Sequence, residues 1–516
     1  MRPFASRALL FCLLLVFCAA VRVWSWRPFT DPDAVENGEE VQLAPQRVTA
    51  PPPGSKAVAP RLATFAGNPY LVGTIVTPTK TLPEAETNIT VNPADEQNLA
   101  AIITDYSQRT GNIFTNGASK YAISTDGGQT WGQAFVPLSN KYPITSDGVT
   151  WLVDRDPGVA IDLSGNVYFS GLYLKLASMP TNGSSTPPIN RSTTPGGVYV
   201  CAGTLPVPNL TAASCRPVVT DTSLNPTTSV DRDWIAVDSS HSPYSGTVYI
   251  SWTYYTGCLS NGTCATKYIA FSKSTNHGVT WSSPIQINST DQTIVDWSMV
   301  TVGGDGTVYV AYELYFTTGA ERMHFVAVST DGGTTFGTPI AMTPIFHNVE
   351  FTCPYRKNSA PNVVVSSVSG AEYVYDVWAE AAAAGGSAIA VARSMQPKGA
   401  GGFKTPVIIN DSTAGQRQYA AGAVDGNGTL HTLWLDTRNS PADDSQYDVY
   451  ATYSYDAGAT FAPNARVTPA LINGNTGFIG DFFGITVEPG TGVAHGVWTN
   501  GGILNGQLQT TTLTPQ

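Results

Sequence analysis

Acidic and basic residues cluster at intervals along a chain that otherwise carries few charges. Asp154-Arg155-Asp156 and Asp231-Arg232-Asp233 each stand directly before an apolar run. Only 13% of the 516 residues are charged, against about 25% in an average soluble domain. Paired carboxyl groups can cleave a glycosidic bond, and a guanidinium group binds a carboxylate in a fork. The clusters are therefore candidates for acid–base chemistry on an acidic sugar.

Further polar residues stand at corresponding places in the chain, before one apolar run or after the next. We predict that the catalytic or substrate-binding residues come from this set: Arg155, Asp156, Arg232, Asp233, Asp296, Tyr355, Arg356, Arg417, Asp436, Arg438 and Asp481. Other polar and aromatic residues in similar places are Glu86, Trp297, Glu313, Glu380, Tyr419 and Phe482. The same charges could instead pair with a neighbouring repeat unit and fix its position.

A repeat positions these clusters. Each unit has an apolar strand, a Gly turn and a second strand that ends near an aromatic residue. Units begin near residues 86, 154, 231, 296, 359, 418 and 481, roughly 60 to 77 residues apart. That period is typical of four-stranded antiparallel blades with long loops, and no segment has helical periodicity. The repeat therefore predicts an all-β propeller.

A second motif, Ser-x-Asp-x-Gly-x-Thr-aromatic, is interleaved with the first. It occupies residues 124–131, 329–336 and 454–461, and residues 274–281 repeat it with Asn in place of Asp. The acidic or amide side chain can accept backbone N–H bonds in a turn, and Gly can take left-handed dihedral angles. We therefore predict structural hairpin tips at these positions: Asp126, Asn276, Asp331 and Asp456.

These four motifs resemble Asp boxes, the repeats of sialidases and related bacterial-neuraminidase-repeat proteins. The resemblance covers nearly all of the chain after residue 80. It implies a β-propeller of four-stranded antiparallel blades. The sialidase domain has six blades, whereas seven repeat starts favour seven here, with six as the alternative. The last unit is short, and residues 69–78 could supply its outer strand and close the ring.

The resemblance also implies a secreted glycoside hydrolase that acts on extracellular glycans at the channel mouth, in the manner of an exo-sialidase. Sialidases use a Tyr nucleophile, for which Tyr355 and Tyr419 are candidates. The Arg-Ile-Pro motif that precedes the first Asp box in sialidases is absent, since Arg61 is followed by Leu62 and Ala63. Two other functions stay open: a carbohydrate-binding or adhesion propeller that does not cleave, and a polysaccharide lyase. A lyase could use one of five histidines as base: His241, His324, His347, His431 and His495.

The N-terminal residues and the cysteines predict the cellular location of the protein. Two arginines precede an apolar run of about a dozen residues, the order of a signal peptide, with a signal anchor as the alternative. We expect a signal peptide at 1–20, a Pro-rich linker at 21–67 and the propeller at 68–516. Cys201–Cys215 and Cys258–Cys264 would form local disulfides in an oxidising compartment, which leaves Cys353 as a free thiol.

The remaining expectations concern modification and partners. Glycosylation sequons occur at Asn88, Asn182, Asn190, Asn209, Asn261, Asn288, Asn410 and Asn427. A net charge of −11 without a basic stripe argues against a nucleic-acid partner. We expect a carbohydrate partner, no membrane span in the mature chain, a monomer, and no cofactor or metal, since no metal motif is present. A loop calcium near Asp443-Asp444 stays open. Trp252, Trp378, Trp434 and Trp498 should belong to the core between blades.

Overall fold

The computed structural model describes residues 70–71, 84–105, 118–137, 151–153, 156–175, 196–220, 228–258, 264–316, 319–349, 353, 355–368, 371–383, 385–442, 444–474, 479–501 and 508–513. The predicted signal peptide and linker lie outside these ranges. Apart from 3₁₀ turns at Ala212–Ser214 and Pro397–Gly399, the regular structure in them is β-strand. No helix among these residues is long and apolar enough to cross a membrane.

The strands form seven antiparallel sheets. The first strand, β1 (Tyr70–Leu71), belongs to the last sheet. Sheet 1 contains β2 (Glu84–Val91), β3 (Leu99–Asp105), β4 (Ala118–Ser124) and β5 (Gly132–Phe135). Sheet 2 contains β6 (Trp151–Val153), β7 (Gly158–Ile161), β8 (Asn166–Lys175), β9 (Gly196–Thr204) and β10 (Cys215–Thr220). In sheet 2 both β6 and β7 pair with β8, so two short strands share the first strand position.

Sheets 3 to 5 follow the same up-and-down order. Sheet 3 contains β11 (Thr228–Val237), β12 (Val248–Thr256), β13 (Thr266–Ser274) and β14 (Ile285–Gln286). Sheet 4 contains β15 (Val295–Val302), β16 (Val308–Tyr315), β17 (Glu321–Ser329), β18 (Ile340–Ala341) and β19 (Phe346–His347). Sheet 5 contains β20 (Asn362–Val368), β21 (Ala371–Ala381), β22 (Ser387–Arg393) and β23 (Val407–Ile408).

The last two sheets complete the ring. Sheet 6 contains β24 (Arg417–Val424), β25 (Leu430–Asp436), β26 (Gln446–Ser454), β27 (Ala465–Arg466) and β28 (Ile472–Asn473). Sheet 7 contains β29 (Gly484–Val487), β30 (Ala494–Thr499) and β31 (Leu508–Leu513). Strand β1 pairs with β31 as the outer strand of sheet 7, as the short last repeat predicts. The first strand of each sheet packs on that of the next, and β29 packs on β2, so the strands form a closed β-propeller.

The core lies between the sheets. Four tryptophans on the second strands of sheets 3, 5, 6 and 7 are completely buried, which confirms their predicted place: Trp252, Trp378, Trp434 and Trp498. Successive side chains of a strand point to opposite faces of its sheet. Each strand therefore packs apolar side chains against both neighbouring sheets. In sheet 6, all seven residues of β25 are buried, including the polar His431, Thr432 and Asp436.

The four motifs of the form Ser-x-Asp/Asn-x-Gly-x-Thr-aromatic lie at the hairpins between the third and fourth strands of sheets 1, 3, 4 and 6. In the first, Ser124 Oγ donates to Asp126 Oδ1 over 2.8 Å, and the Gly128 amide donates to Ser124 Oγ over 2.8 Å. The Thr130 amide donates to the same aspartate oxygen over 2.8 Å. The equivalent amide bond in the Asn-containing copy, from Thr280 to Asn276, is 2.9 Å long. These side chains close turns, as predicted.

Both predicted disulfides are present. Cys201 and Cys215 are cross-strand partners on β9 and β10, so this bond joins the outer hairpin of sheet 2, which has no Asp box. Cys258 and Cys264 close the loop between β12 and β13. Cys353 is a free, partly buried thiol.

Two of the eight glycosylation predictions conflict with burial. Asn88 is 8% exposed, and its side chain accepts the Ile89 amide. Asn288 is 4% exposed, and its amide nitrogen donates to the Gln292 carbonyl over 2.7 Å. Burial of these two amides in the folded chain conflicts with their predicted modification, and the other sequons stay predictions. Of the others, Asn209 and Asn427 are exposed and Asn410 is half-buried, while Asn182, Asn190 and Asn261 lie outside the described residues.

Candidate functional site

The inner strands of the propeller carry an irregularity at the same place in several sheets. In β2, β11, β15 and β24 the register shifts by a β-bulge. Within the bulges, Glu86, Arg232, Trp297 and Tyr419 have φ angles of 61°, 56°, 53° and 55°. Asp156, at the break before β7, has φ 58°. Left-handed dihedrals cost a residue with a Cβ about 1–2 kcal/mol, and such strain is concentrated at functional sites.

Three of these bulge residues, Arg232, Trp297 and Tyr419, line a cavity at the axis of the ring. Six of the seven sheets contribute residues to its lining. The polar lining residues are Asp156, Arg232, Asp233, Ser298, Asn358, Asn362, Tyr419 and Asp481, and the aromatic ones are Trp234, Trp297 and Phe482. Trp234 of sheet 3 and Phe482 before sheet 7 meet edge to face, with ring centroids 5.4 Å apart. Because these sheets are not neighbours, this contact crosses the axis.

Three carboxylates from sheets 7, 1 and 2 come together beside the cavity. Glu86, Asp156 and Asp481 each offer an oxygen, and these oxygens lie within 4.8 Å of one another. All three side chains are buried. Thr104 Oγ1 and the Asp156 amide donate to Glu86 Oε2 over 2.8 and 3.2 Å. This acidic trio is the set of described residues that could hold a metal ion.

Asp233 is the carboxyl group of the cavity that has no partner among the described residues. It is 3% exposed, and neither of its oxygens meets hydrogen-bonding geometry. The Ser170 hydroxyl lies near enough to favour the carboxylate, but burial dominates and the charges of Asp231 and Glu86 add to it. The pKa of Asp233 is therefore raised well above its ordinary value, so the carboxyl group keeps its proton at higher pH.

Arg232 spans the wall between sheets 3 and 4. Its amide donates to Asp156 Oδ2 over 2.9 Å, which sets Asp233 next to the trio. Its guanidinium group lies 3.4 Å from the ring centre of Trp297, and Nε is 3.3 Å from Asp296 Oδ1. Asp296 also accepts Lys267 over 2.8 Å. Burial alone would raise the pKa of Asp296, but the charges of Lys267 and Arg232 lower it.

The opposite wall is built around Asp481. Arg356 Nη1 lies 2.8 Å from Asp481 Oδ2, and Asn358 Nδ2 donates to the Asp481 carbonyl over 2.6 Å. Tyr419 Oη donates to the Arg356 carbonyl over 2.7 Å. Burial and the charge of Asp481 raise the pKa of Tyr419 well above its usual range. Tyr419 is therefore not prepared to act as a phenolate nucleophile.

The structure thus brings together Asp156, Arg232, Asp233 and Asp481 at one cavity, and Asp296 and Arg356 behind its walls. Arg155 lies outside the described residues. Tyr355 is not at the cavity: its ring packs against Tyr447, and its hydroxyl donates to the Asp444 carbonyl over 2.8 Å.

Arg417, Asp436 and Arg438 form a separate cluster on sheet 6. Arg438 Nη2 lies 2.7 Å from Asp436 Oδ2 and Arg417 Nε 3.4 Å from the same oxygen. Arg417 also donates to the carbonyl of Ser387 over 3.1 Å, which ties sheet 6 to sheet 5. The charges of these three residues therefore pair with one another and with a neighbouring sheet. This is the structural alternative to catalysis that the sequence left open.

The second-strand glutamates and the histidines also lie away from the cavity. Glu313 pairs with Arg322 over 3.1 Å, and Glu380 accepts the Trp378 indole N–H over 3.0 Å. Fully buried His324 contacts Asp376 over 2.7 Å. No histidine lines the described cavity, so it offers no imidazole base of the kind a lyase could use.

Sequence reasoning missed Asn358, Asn362 and Ser298 as cavity residues. Asn358 precedes the first strand of sheet 5, and the repeat start near residue 359 could have pointed to it. Ser298 follows Trp297 in the bulge of β15. The direction of the Ser298 side chain depends on the extra residue in the bulge, and the sequence pattern does not predict that bulge.

Comparison with known proteins gives similarity in structure only. No family model matches the chain, and no curated protein matches it. Among solved structures, the Hadza microbial sialidase Hz136 is 13% identical, with a TM-score of 0.43 over 86% of this chain and 96% of that one. An alpha-L-arabinanase of Penicillium chrysogenum, complexed with arabinobiose, is 10% identical, with a TM-score of 0.44 over 86% and 98%.

A third similar structure is an alpha-l-arabinofuranosidase, arb93a, of Fusarium graminearum. It is 12% identical, with a TM-score of 0.43 over 86% of this chain and 98% of that one. Sequence identities of 10–13% give no information on the residues of the cavity.

Proposed function

We propose that the protein is a secreted glycoside hydrolase that acts on extracellular glycans in the cavity at the axis of the ring. The observation that carries the proposal is the convergence there of Asp156, Asp233 and Asp481, from three different parts of the ring, with the guanidinium of Arg232 and the ring of Trp297. Glycoside hydrolysis needs one carboxyl group as acid and another carboxylate as base or nucleophile.

The roles follow from the surroundings of each carboxyl group. Asp233 is the general acid, because it is buried without a hydrogen-bond partner among the described residues and its pKa is raised well above the ordinary value. The acidic trio holds the attacking water and accepts its proton. Water forms a bond to the anomeric carbon while the bond to the leaving oxygen breaks, and the Asp233 proton passes to that oxygen. Arg232 would bind an anionic substituent of the sugar.

The extracellular setting is supported by the two disulfides, which form in oxidising compartments, and by the signal-like first 20 residues. We also propose seven blades, rather than the six of the sialidase domain that the Asp boxes resemble. The support is that each of the seven sheets packs on the next and the last on the first.

The test is hydrolysis by the purified protein across sialosides, neutral glycosides and acidic polysaccharides. We expect turnover of at least one class, and a loss of about 100-fold or more in Asp233→Asn, the usual size of a general-acid effect. Asp331→Asn is the matched control, because Asn276 shows that this chain accepts Asn in an Asp box. Its turnover should equal that of the wild type.

Two outcomes would contradict the proposal. If Asp233→Asn is folded and hydrolyses as fast as the wild type, Asp233 is not the acid. If the wild type cleaves nothing but binds a glycan saturably, the protein is a carbohydrate-binding propeller.

A further inference from the structure

We propose that Glu86, Asp156 and Asp481 bind a divalent cation, best matched by Ca²⁺, at the axis of the ring. This site goes beyond the proposed hydrolysis and does not depend on it. No metal motif marks it in the sequence, because the three ligands lie up to about 395 residues apart and meet only when the ring closes.

The spacing of the ligand atoms suits a large hard cation. One oxygen from each carboxylate lies within 4.8 Å of the other two. Ca²⁺ takes six to eight oxygen ligands in flexible geometry, whereas Mg²⁺ demands near-ideal octahedral geometry and usually keeps several waters, with one or two carboxylates. Three protein carboxylates at one point therefore favour Ca²⁺, for which carboxylate oxygens are usual ligands.

An independent observation points to the same ligand. Asp233 is 3% exposed, and both of its oxygens lack a hydrogen-bond partner among the described residues. It lines the same cavity as Asp156 and Asp481, and it follows Arg232, whose amide is 2.9 Å from the Asp156 carboxylate. A buried carboxyl group is normally paired or bound to a metal. Asp233 is not among the residues whose oxygens meet within 4.8 Å, so it would face the cation across the cavity and contact it through a water molecule, to which a protonated carboxyl group can donate.

The backbone around the trio is built for close approach. Glu86 and Asp156 are held in left-handed conformations, and both reach the trio. A Cβ on Gly480 would lie 2.5 Å from the Glu86 backbone nitrogen, so only glycine lets the segment that carries Asp481 come this near. The ligands belong to sheets 7, 1 and 2, where the two ends of the ring meet. A bound cation would therefore hold the ring closed.

With the cation bound, the trio would hold the attacking water through the cation rather than directly, on the side of the cavity that Asp233 also lines.

The test uses the full-length protein, stripped with a chelator and titrated with CaCl₂ by calorimetry and thermal melting. We expect one Ca²⁺ per chain at high affinity and a melting temperature several degrees higher with Ca²⁺ than with chelator. Glu86→Gln should weaken Ca²⁺ binding by about 10-fold or more, while Asp331→Asn should bind as the wild type does. If the stripped wild type binds no Ca²⁺ up to about 1 mM, the weak limit for extracellular sites, the proposal is wrong.

A second measurement covers the case in which Glu86→Gln does not fold. Tb³⁺ replaces Ca²⁺ in oxygen sites and is excited through nearby tryptophan, and Trp234 and Trp297 line this cavity. We expect Tb³⁺ emission on tryptophan excitation of the wild type, removed by Ca²⁺ and reduced in Trp297→Phe. Emission that Ca²⁺ does not displace would contradict the site. Ca²⁺ binding without turnover would refute only the hydrolase, and turnover without Ca²⁺ binding only the cation site.

Discussion

At the level of single residues, the cavity separates carboxyl groups by their surroundings. Asp296 is held by Lys267 and by Arg232, whereas Asp233 lies in the same region with no such partner among the described residues. Two carboxyl groups whose environments move their pKa values in opposite directions are typical of sites that need both a proton and a negative charge. We therefore assign a structural role to Asp296 and a role in proton transfer to Asp233.

The pairing of Asp296 predicts an acid-sensitive contribution to stability. The pKa of Asp296 is lower in the folded chain than its ordinary value, so its stabilisation is present above the unfolded pKa, near 4, and is lost as the pH falls through the folded pKa. Asp296→Asn should destabilise the protein at neutral pH by roughly 3–5 kcal/mol, because Lys267 would be buried without its partner. Its stability should also fall less between pH 5 and pH 3 than that of the wild type. Urea unfolding at several pH values measures both, and parallel curves for the two proteins would contradict the assignment.

The sequence predicted several site residues, and physical reasons separate the successes from the failures. Asp156 and Asp481 lie two and three residues before inner strands, and Arg232 and Asp233 lie in the bulge of β11, so all four are near the axis. Tyr355 lies seven residues before β20, and its ring packs against Tyr447 of sheet 6. The direction of a side chain just before a strand depends on local dihedral angles that residue type does not determine.

At the level of elements, the hairpins and the bulges differ in how far the sequence reveals them. The Asp-box turns use Ser, Asp or Asn, Gly and Thr at fixed spacing, and each residue type has one local hydrogen-bonding task. They were therefore predictable. The bulges place Glu86, Trp297 and Tyr419 in left-handed dihedrals that bulky side chains disfavour. Tertiary contacts impose these conformations, so local preference could not predict them.

Gly480 tests the close approach between β2 and the segment before β29. Gly480→Ala would place a Cβ 2.5 Å from the Glu86 backbone nitrogen and 2.9 Å from its Cα, at φ 95°. Gly402→Ala is the matched control, since Gly402 has φ 81° but open space around the added Cβ. We expect a loss of about 1–2 kcal/mol for the control from the dihedral angle alone, and about 1–3 kcal/mol more for Gly480→Ala from overpacking. Equal losses in denaturant unfolding would contradict the close approach.

At the level of the whole molecule, the propeller was predicted from the period of the sequence repeat. Seven repeat starts correspond to seven sheets, and the short last unit correctly pointed to a strand from near residue 70. What the sequence did not contain was the meeting of Glu86, Asp156 and Asp481. Those residues lie far apart in the chain, and only closure of the ring makes them neighbours.

Closure by β1 predicts that the start of the propeller matters for stability. A chain that begins at residue 84 lacks Tyr70–Leu71, which pair with β31, and so exposes an unpaired sheet edge. We expect its melting temperature to fall by about 2 °C or more, with a greater tendency to aggregate. A chain that begins at residue 66 keeps β1 and should melt as the full-length chain does. Equal melting temperatures for all three would contradict closure by this strand.

The central claim is that one cavity at the axis, rather than a set of sites around the rim, binds the glycan. The most direct measurement is the stoichiometry of oligosaccharide binding to the Asp233→Asn protein by calorimetry, using the oligosaccharide that the wild type cleaves or binds best. We predict one oligosaccharide per chain, and binding at least about 10-fold weaker when Arg232→Ala is added to that protein. Several equivalent oligosaccharides per chain, with affinity unchanged by Arg232→Ala, would contradict the claim and place recognition on the repeated outer loops.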